Sequence, residues 1–533
     1  MGLKKHKRNQ IVAGLFAAAL ITSACGPRPT AGPEILLLPT RTLAPEPART
    51  EPPASSGAAR VVTETPRSAD EASIVACAAG LGPFASNSAL PTGDGQIVFV
   101  GSDGNVGLVD PATARAQRVT RDAGVSQESQ TGRAYLFPTF SADGRALAFV
   151  RLERTLAGYT QTVQVAEARE LPPLTGLYAT STDNIPYLDW APDNRSLAIL
   201  SINGRTGSLR LSGTDGGAST VVATGASVYW HWRADAGALI AHTDGAADTA
   251  ANARLSLVRP GAARAERLSA LPGYFQAPQF SPDGQRMLYV AQFGDSEALT
   301  LADANGTPQC GLSTVADAMY FAWSPNGRHV ALIDTPQLLG EPNLLEVIDI
   351  GTGRRTSLAR NAVSYAWSPN GRYLAMWSVV PDGQVIDPAA VRSAGATPTP
   401  APAATLASTA RPALPPTATP RGARPSPTAA PTQTATASGL QIAVRLEIAD
   451  VSTGALIRVA DTIPSSEFLS AAQFFDQYSR GASPWSPDGR SLAFVSVDEA
   501  SDAAWIYVAR VGEDGRAQVQ RLAEGGLATW SPR

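Results

Sequence analysis

The sequence predicts an all-β fold, a single β-propeller of four-stranded blades, on three observations. A short motif, an aromatic residue followed by Ser-Pro-Asp-Gly or a close variant, recurs along the chain. Each copy runs into a strand whose apolar residues alternate, and between copies lies a second apolar strand that ends in Asp and a Gly turn. Units of about 40–50 residues built from short strands and turn signals are the pattern of propeller blades.

The copies are "FSADGRALAFV" (Phe140), "WAPDNRSLAIL" (Trp190), "WRADAGALIAH" (Trp232), "FSPDGQRMLYV" (Phe280), "WSPNGRHVALI" (Trp323), "WSPNGRYLAMW" (Trp367) and "WSPDGRSLAFV" (Trp485), with "WSPR" beginning an eighth at Trp530. Successive aromatics lie 42 to 50 residues apart except for the 118 between Trp367 and Trp485. Within the motif, Pro sets the backbone for the first corner of a turn, Asp or Asn caps it, and Gly accepts the positive φ that follows. The strand behind it is apolar on both faces, as a sheet sandwiched between two neighbours must be, and the aromatic at its head supplies buried area where blades meet. Ser486 and Asp488, read alone, look like a nucleophile and an acid. Other copies replace Ser (Ala191), Pro (Ala142) or Asp (Asn326 and Asn370) and keep the turn, so the motif reads as a folding device.

The last copy, "ATWSPR", stops before its turn, while "TGDGQIVFV" from Thr92 has a Gly turn and a strand but no aromatic head. Joined, they make one motif, so the N- and C-terminal strands are expected to pair, close the ring and remove its exposed sheet edge. Eight blades result. Seven result instead if the divergent unit around Trp232 merges with a neighbour.

Outside the repeat, Lys4, Lys5, Lys7 and Arg8 precede an apolar stretch at 11–21 and "TSAC" at 22–25. This reads as a lipoprotein-type signal over residues 1–24, with Cys25 as the lipidated first residue and a membrane anchor through that lipid. Ordinary cleavage with an unmodified Cys25 is the alternative. Without residues 1–24 the formal charge is 39 Lys+Arg (43 less four) minus 46 Asp+Glu, or −7, which disfavours a nucleic-acid partner. Residues 25–90 read as a Pro/Thr/Ala-rich tether with a short helix over 68–80. Residues 91–533 form the propeller, interrupted at about 385–438 by a Pro/Thr-rich stretch that buries too little apolar surface to order, and whose composition also suits O-glycosylation. With Cys25 assigned to lipid, Cys77 and Cys310 either form one disulfide or remain two buried thiols, and spacing does not choose.

The pattern [FW]-S-P-[DN]-G-x-x-[IL]-[AV]-[FYL], carried by the copies above over most of residues 92–533, resembles the repeat of the TolB-type, WD-repeat-like β-propellers. The resemblance implies a propeller scaffold anchored in a cell envelope. TolB itself is a poorer match, because that family carries an α/β domain before its propeller and a Pro-rich tether stands here.

The catalytic inventory is thin. His occurs at His6, His231, His242 and His329, and G-x-S-x-G, H-E-x-x-H and C-x-x-C are absent, as is the S-x-D-x-G-x-x-W box of sialidase propellers. No metal site or cofactor is predicted. For binding, the positions one and three before each aromatic share a side of the strand nearest the channel. There Tyr187, Asp189, Tyr229, His231, Gln279 and Tyr320 are expected to line one sector of a pocket, unless they are solvated by channel water or satisfied within blade contacts. The function expected is a monomeric, non-enzymatic lipoprotein on the outer face of the cytoplasmic membrane or on an outer membrane, binding another envelope protein, a peptide or a glycan. The alternative is an envelope lyase or glycosidase, which would place carboxylates or His with strongly shifted titration together at the channel mouth.

Overall fold

The computed structural model describes residues 95–533 apart from 127–130, 169–173, 245–251, 262–264, 274, 276, 294–295, 316–317, 336–342, 381–442, 469–480, 499–500 and 502. The signal, Cys25, Cys77, the tether with its 68–80 helix, and the 385–438 insertion therefore lie outside the described residues. The remainder folds into eight antiparallel sheets, six of four strands, one of five and one of three. These are eight blades, numbered here from the one that holds Ile97, and the unit around Trp232 is a complete four-stranded blade of its own.

Closure is as the sequence predicts. The strand Leu527–Trp530 lies innermost in blade 1 and pairs antiparallel with Ile97–Val100, Ile97 opposite Trp530. Even the divided turn is rebuilt, since the Gln96 N–H donates to Ser531 Oγ at 2.9 Å and the Ser531 N–H to the Gln96 carbonyl at 2.7 Å.

The turn motif repeats one set of hydrogen bonds. In blade 7, Ser368 Oγ donates to Asn370 Oδ1 (2.6 Å) and accepts the Tyr373 N–H (2.9 Å), while Asn370 Oδ1 accepts the Arg372 N–H (3.0 Å). The Ser and Asp or Asn of blades 2, 5, 6 and 8 make the same bonds. Ser486 and Asp488 are thus occupied in holding a turn, each as both partner and cap. The turn Gly donates to the Ser carbonyl and sits at φ 65 to 70°. Asn194 (φ 61°) takes that place in blade 3, and Ala236 (φ 58°) takes it in blade 4.

Blades are joined at the same places. A Cβ on Gly489 would stand 2.6 Å from Asn370 Nδ2, and one on Gly371 equally close to Asn326 Nδ2, because each turn packs on its neighbour. Gly489→Ala should therefore destabilise the fold by about 2 kcal/mol, combining left-handed strain with the displaced Asn370. An unchanged urea midpoint would contradict this account. The head aromatics are buried between blades, and the indole N–H groups of Trp190, Trp367 and Trp485 donate to the carbonyls of Thr139, Ala322 and Ala366 in the preceding blade. The motif thus fixes its own turn, buries an apolar wedge and bonds the preceding blade.

Blade 8 departs from the pattern. Its inner edge holds the Ile463 carbonyl, which accepts the Val497 N–H (2.6 Å), and then, after an excursion, Trp485, which bridges Leu492. The excursion begins with a helical turn at 466–468 and returns at Gly481 inside the ring, where residues 481–484 lie against the inner strands of blades 1 and 2.

Candidate functional site

The inner strands are Asn184–Trp190 in blade 3, Val228–Trp232 in blade 4, Gln279–Phe280 in blade 5 and Ala318–Trp323 in blade 6. They carry all six candidate residues, and parity does place these near the axis. The residue just before the aromatic, however, turns sideways onto the next blade. Asp189 is buried and accepts the indole N–H of Trp230 through Oδ2 at 2.9 Å. Gln279, also buried, donates from Nε2 to the Phe321 carbonyl and accepts the Trp323 N–H on Oε1, both at 3.1 Å. His231 accepts the Phe280 N–H on Nδ1 at 3.2 Å. An inner strand has no partner on its axial edge, so its buried N–H and C=O groups need an acceptor or donor from elsewhere, and the neighbouring blade supplies it.

In blade 2 the same need is met by the excursion from blade 8. Thr139 Oγ1 donates to the Gly481 carbonyl at 2.9 Å, which also accepts the Phe140 N–H at 3.2 Å, and the Trp530 N–H reaches the Ser483 carbonyl at 2.8 Å. Ala482 then closes, with Phe137, Thr139, Tyr187, Leu527 and Thr529, a cavity of about 20 Å³. That is room for one water and for no larger ligand. Tyr187 is the one candidate residue that lines it, and its ring also meets Trp230 edge-on. Tyr229 packs beside His242, which is stacked on Phe275 at 4.1 Å, and Tyr320 packs on the core between blades 6 and 7. The six residues are therefore distributed over four blade junctions, and Tyr187 alone of them lines the small cavity at Ala482. Asp189→Ala should cost about 2 kcal/mol of stability by removing the buried acceptor of the Trp230 indole, and chemical denaturation checks it. A change below about 0.5 kcal/mol, the size of an ordinary surface substitution, would show that Asp189 is not structural.

A polar cluster at the far end of blade 2 was not visible in the repeat pattern. Here Arg133, in the inner strand Thr131–Phe140, pairs with Asp122 and with Glu153 (2.7 Å), and the Tyr135 hydroxyl donates to Asp122 at 2.7 Å. Burial opposes ionisation of Asp122, but the bonds from Tyr135 and Arg133 outweigh it and hold its carboxyl below the usual range. The Arg133 bond lowers Glu153 likewise, while burial and the bond to Asp122 push the Tyr135 hydroxyl up. Both acids stay ionised, so neither is poised to give a proton at neutral pH. These residues precede the turn motif, where the repeat offers no alignment to single them out.

Elsewhere the shifted groups stand apart. Burial lowers His329, against the pull of Asp349 at 3.7 Å, on the face that carries the turns of blade 6. Burial raises Glu447 in blade 7, beside Arg445 and Arg458, both of which bind the fully buried Asp461. Among the described residues no group of three or more His, Cys, Asp or Glu is arranged to hold a metal ion, and no helix is long and apolar enough to cross a membrane. Cys310, in the outer strand Pro308–Thr314 of blade 5, is disulfide-bonded, and the chain's other two cysteines, Cys25 and Cys77, lie outside the described residues.

No family profile and no curated protein matches the sequence. Among solved structures, the chain is similar to TolB from Acinetobacter baumannii (16% identity, TM-score 0.31), over 50% of this chain and 64% of that one. It is also similar to oligogalacturonate lyase from Vibrio parahaemolyticus (13%, TM-score 0.43, 79% of this chain and 100% of that one) and to the β-propeller domain of the Trilobed protease from Pyrococcus furiosus (10%, TM-score 0.38, 74% and 95%). The eight-bladed propeller itself rests on the strand pairing of this chain, from the Ile97–Trp530 closure through each successive sheet.

Proposed function

We propose that the protein is an exported, lipid-anchored propeller that serves as a non-enzymatic scaffold for an envelope protein, a peptide or a glycan. The observation that carries this reading is the use of Thr139, Asp189, His231 and Gln279 to bond one blade to the next. Side chains committed in this way stiffen a frame and are not free to converge on a reacting bond. Among the described residues, four of the five exposed large apolar side chains, Leu156, Leu271, Val363 and Val379, lie at the strand ends opposite the turn motifs, the fifth being Val221 in the outer strand of blade 3, and this favours that loop face as the one that meets a partner. Anchoring through Cys25 follows from the basic, apolar and Cys-terminated N-terminal segment.

The test is capture from a native envelope by the lipid-bearing protein, in parallel with Leu156→Glu plus Val363→Glu on the loop face and Arg328→Gln on the opposite face. Loss of the captured partner with the first variant alone supports the scaffold. Capture that is indifferent to the loop face, or cleavage of envelope polysaccharide by the purified protein, overturns it. Cys25→Ser should move the protein from the membrane to the soluble fraction.

A further inference from the structure

We infer that residues 481–484 are a displaceable strap across the axial edges of blades 1 and 2, and that Thr529 is the reserve acceptor that keeps the ring bonded when the strap leaves. Two other junctions show how this fold bonds one inner strand to the next. In blade 4 the residue before the head aromatic, His231, accepts the N–H of the following head, Phe280, on Nδ1 at 3.2 Å. In blade 5 Gln279 does the same for the Trp323 N–H at 3.1 Å. A head N–H on the axial edge has no strand of its own sheet to receive it, so a side chain of the preceding blade serves.

Thr529 holds that position in blade 1, and Phe140 is the head that follows in blade 2. Yet Thr529 is 2% exposed and its Oγ1 has no hydrogen-bond partner. The Phe140 N–H goes instead to the Gly481 carbonyl at 3.2 Å, and Thr139 Oγ1 donates to the same oxygen at 2.9 Å. Ser483 serves the head of blade 1 in the same way, its carbonyl accepting the Trp530 N–H at 2.8 Å. The strap therefore stands in for a side chain that is already in place. Thr139, Thr529 and Ala482 line one cavity of about 20 Å³, so donor strand, reserve acceptor and strap meet at one point. Strain sits there too, for Phe137 (φ 52°) is the one left-handed residue on an inner strand among the described residues.

A buried hydroxyl without a partner costs free energy for as long as the strap is seated. When the strap leaves, Thr529 Oγ1 accepts the Phe140 N–H as His231 and Gln279 accept theirs, and water entering the vacated space reaches the Trp530 N–H and the Thr139 hydroxyl. One acceptor is exchanged for another, and blades 1 and 2 stay joined. The two arrangements differ by few hydrogen bonds, as a bistable element requires. Seated, the strap covers the axial side of this sector; released, it leaves the sector open to the channel.

Gly481→Val should release the strap, because even a Cβ there would stand 2.5 Å from Thr139 Oγ1 and 3.1 Å from the Phe140 carbonyl. Amide hydrogen exchange at single-residue resolution is read on the full chain, each rate taken relative to that of the fully buried Ile240 in blade 4, so that a general loss of stability divides out. In this variant the Trp530 amide should exchange at least about tenfold faster, while Phe140 changes by less than about threefold. Adding Thr529→Val should then accelerate Phe140 by at least about tenfold as well. Equal acceleration of both amides in the single variant, or a Phe140 rate indifferent to the second substitution, overturns the reserve acceptor. An unchanged Trp530 rate overturns the displaceable strap. Thr529→Val alone should leave the urea midpoint unchanged or raise it, since it removes a hydroxyl that bonds nothing while the strap is seated. A lowered midpoint would mean that the hydroxyl is already engaged, and the inference fails.

Discussion

Gln279→Glu should destabilise the protein by about 3 kcal/mol at pH 8 and by clearly less at pH 4. The native amide meets a carbonyl and an N–H at once, the Phe321 oxygen and the Trp323 amide, with its own donor and acceptor. A carboxylate keeps the bond to Trp323 but turns an anionic oxygen toward the Phe321 carbonyl in a buried place. Protonation restores a donor. The introduced acid therefore has a folded-state pKa above its unfolded value of about 4.3. Between those two values the unfolded chain gives up its proton first, so stability falls as pH rises through the window. Urea unfolding at the two pH values measures the difference, and an equal loss at both would mean that the carbonyl contact is not what Gln279 provides.

Trp530→Ala should cost about 4 kcal/mol and open the ring at a defined place. The indole is fully buried, its strand supplies the inner edge of blade 1, and the backbone N–H of Trp530 in that strand holds the Ser483 carbonyl of the excursion. Removing it weakens the one sheet whose strands come from both ends of the propeller. Hydrogen exchange should accelerate first in residues 97–100 and 481–484, by at least about tenfold, before blades 4 and 5 respond. Uniform acceleration around the ring would instead mean that closure is no weaker than any other junction.

Local chemistry wrote much of this fold into the sequence. Pro, Asp and Gly at fixed spacing specify a turn that needs no distant partner, and the aromatic before it marks where two sheets meet. The head-to-tail joining of "WSPR" with "GDGQIVFV" was legible for the same reason, because both halves of one motif are recognisable apart. The blade count was not fully legible, since Ala236 does the work of a turn Gly in blade 4 and hides that unit from the pattern. Parity put the six candidate residues near the axis but could not say which way each side chain turns.

That direction is a property of the assembled ring. Asp189, His231 and Gln279 point at a neighbouring blade because an inner strand has an unpaired edge that only another part of the chain can satisfy. Likewise the returning end of the excursion from blade 8 lies against the inner strands of blades 1 and 2 because Gly481, and no larger residue, fits against Thr139, where a Cβ would stand 2.5 Å from Oγ1. Nothing in "SRGASPW" announces this, for the partner lies 342 residues away in the chain. The sequence by itself determined the turns, the strands, the wedge aromatics and the closing pair, all of which follow from contacts within one motif. The tertiary structure alone decided whether the axial polar groups face solvent or one another, because burying an inner edge requires its hydrogen bonds to be met across blades.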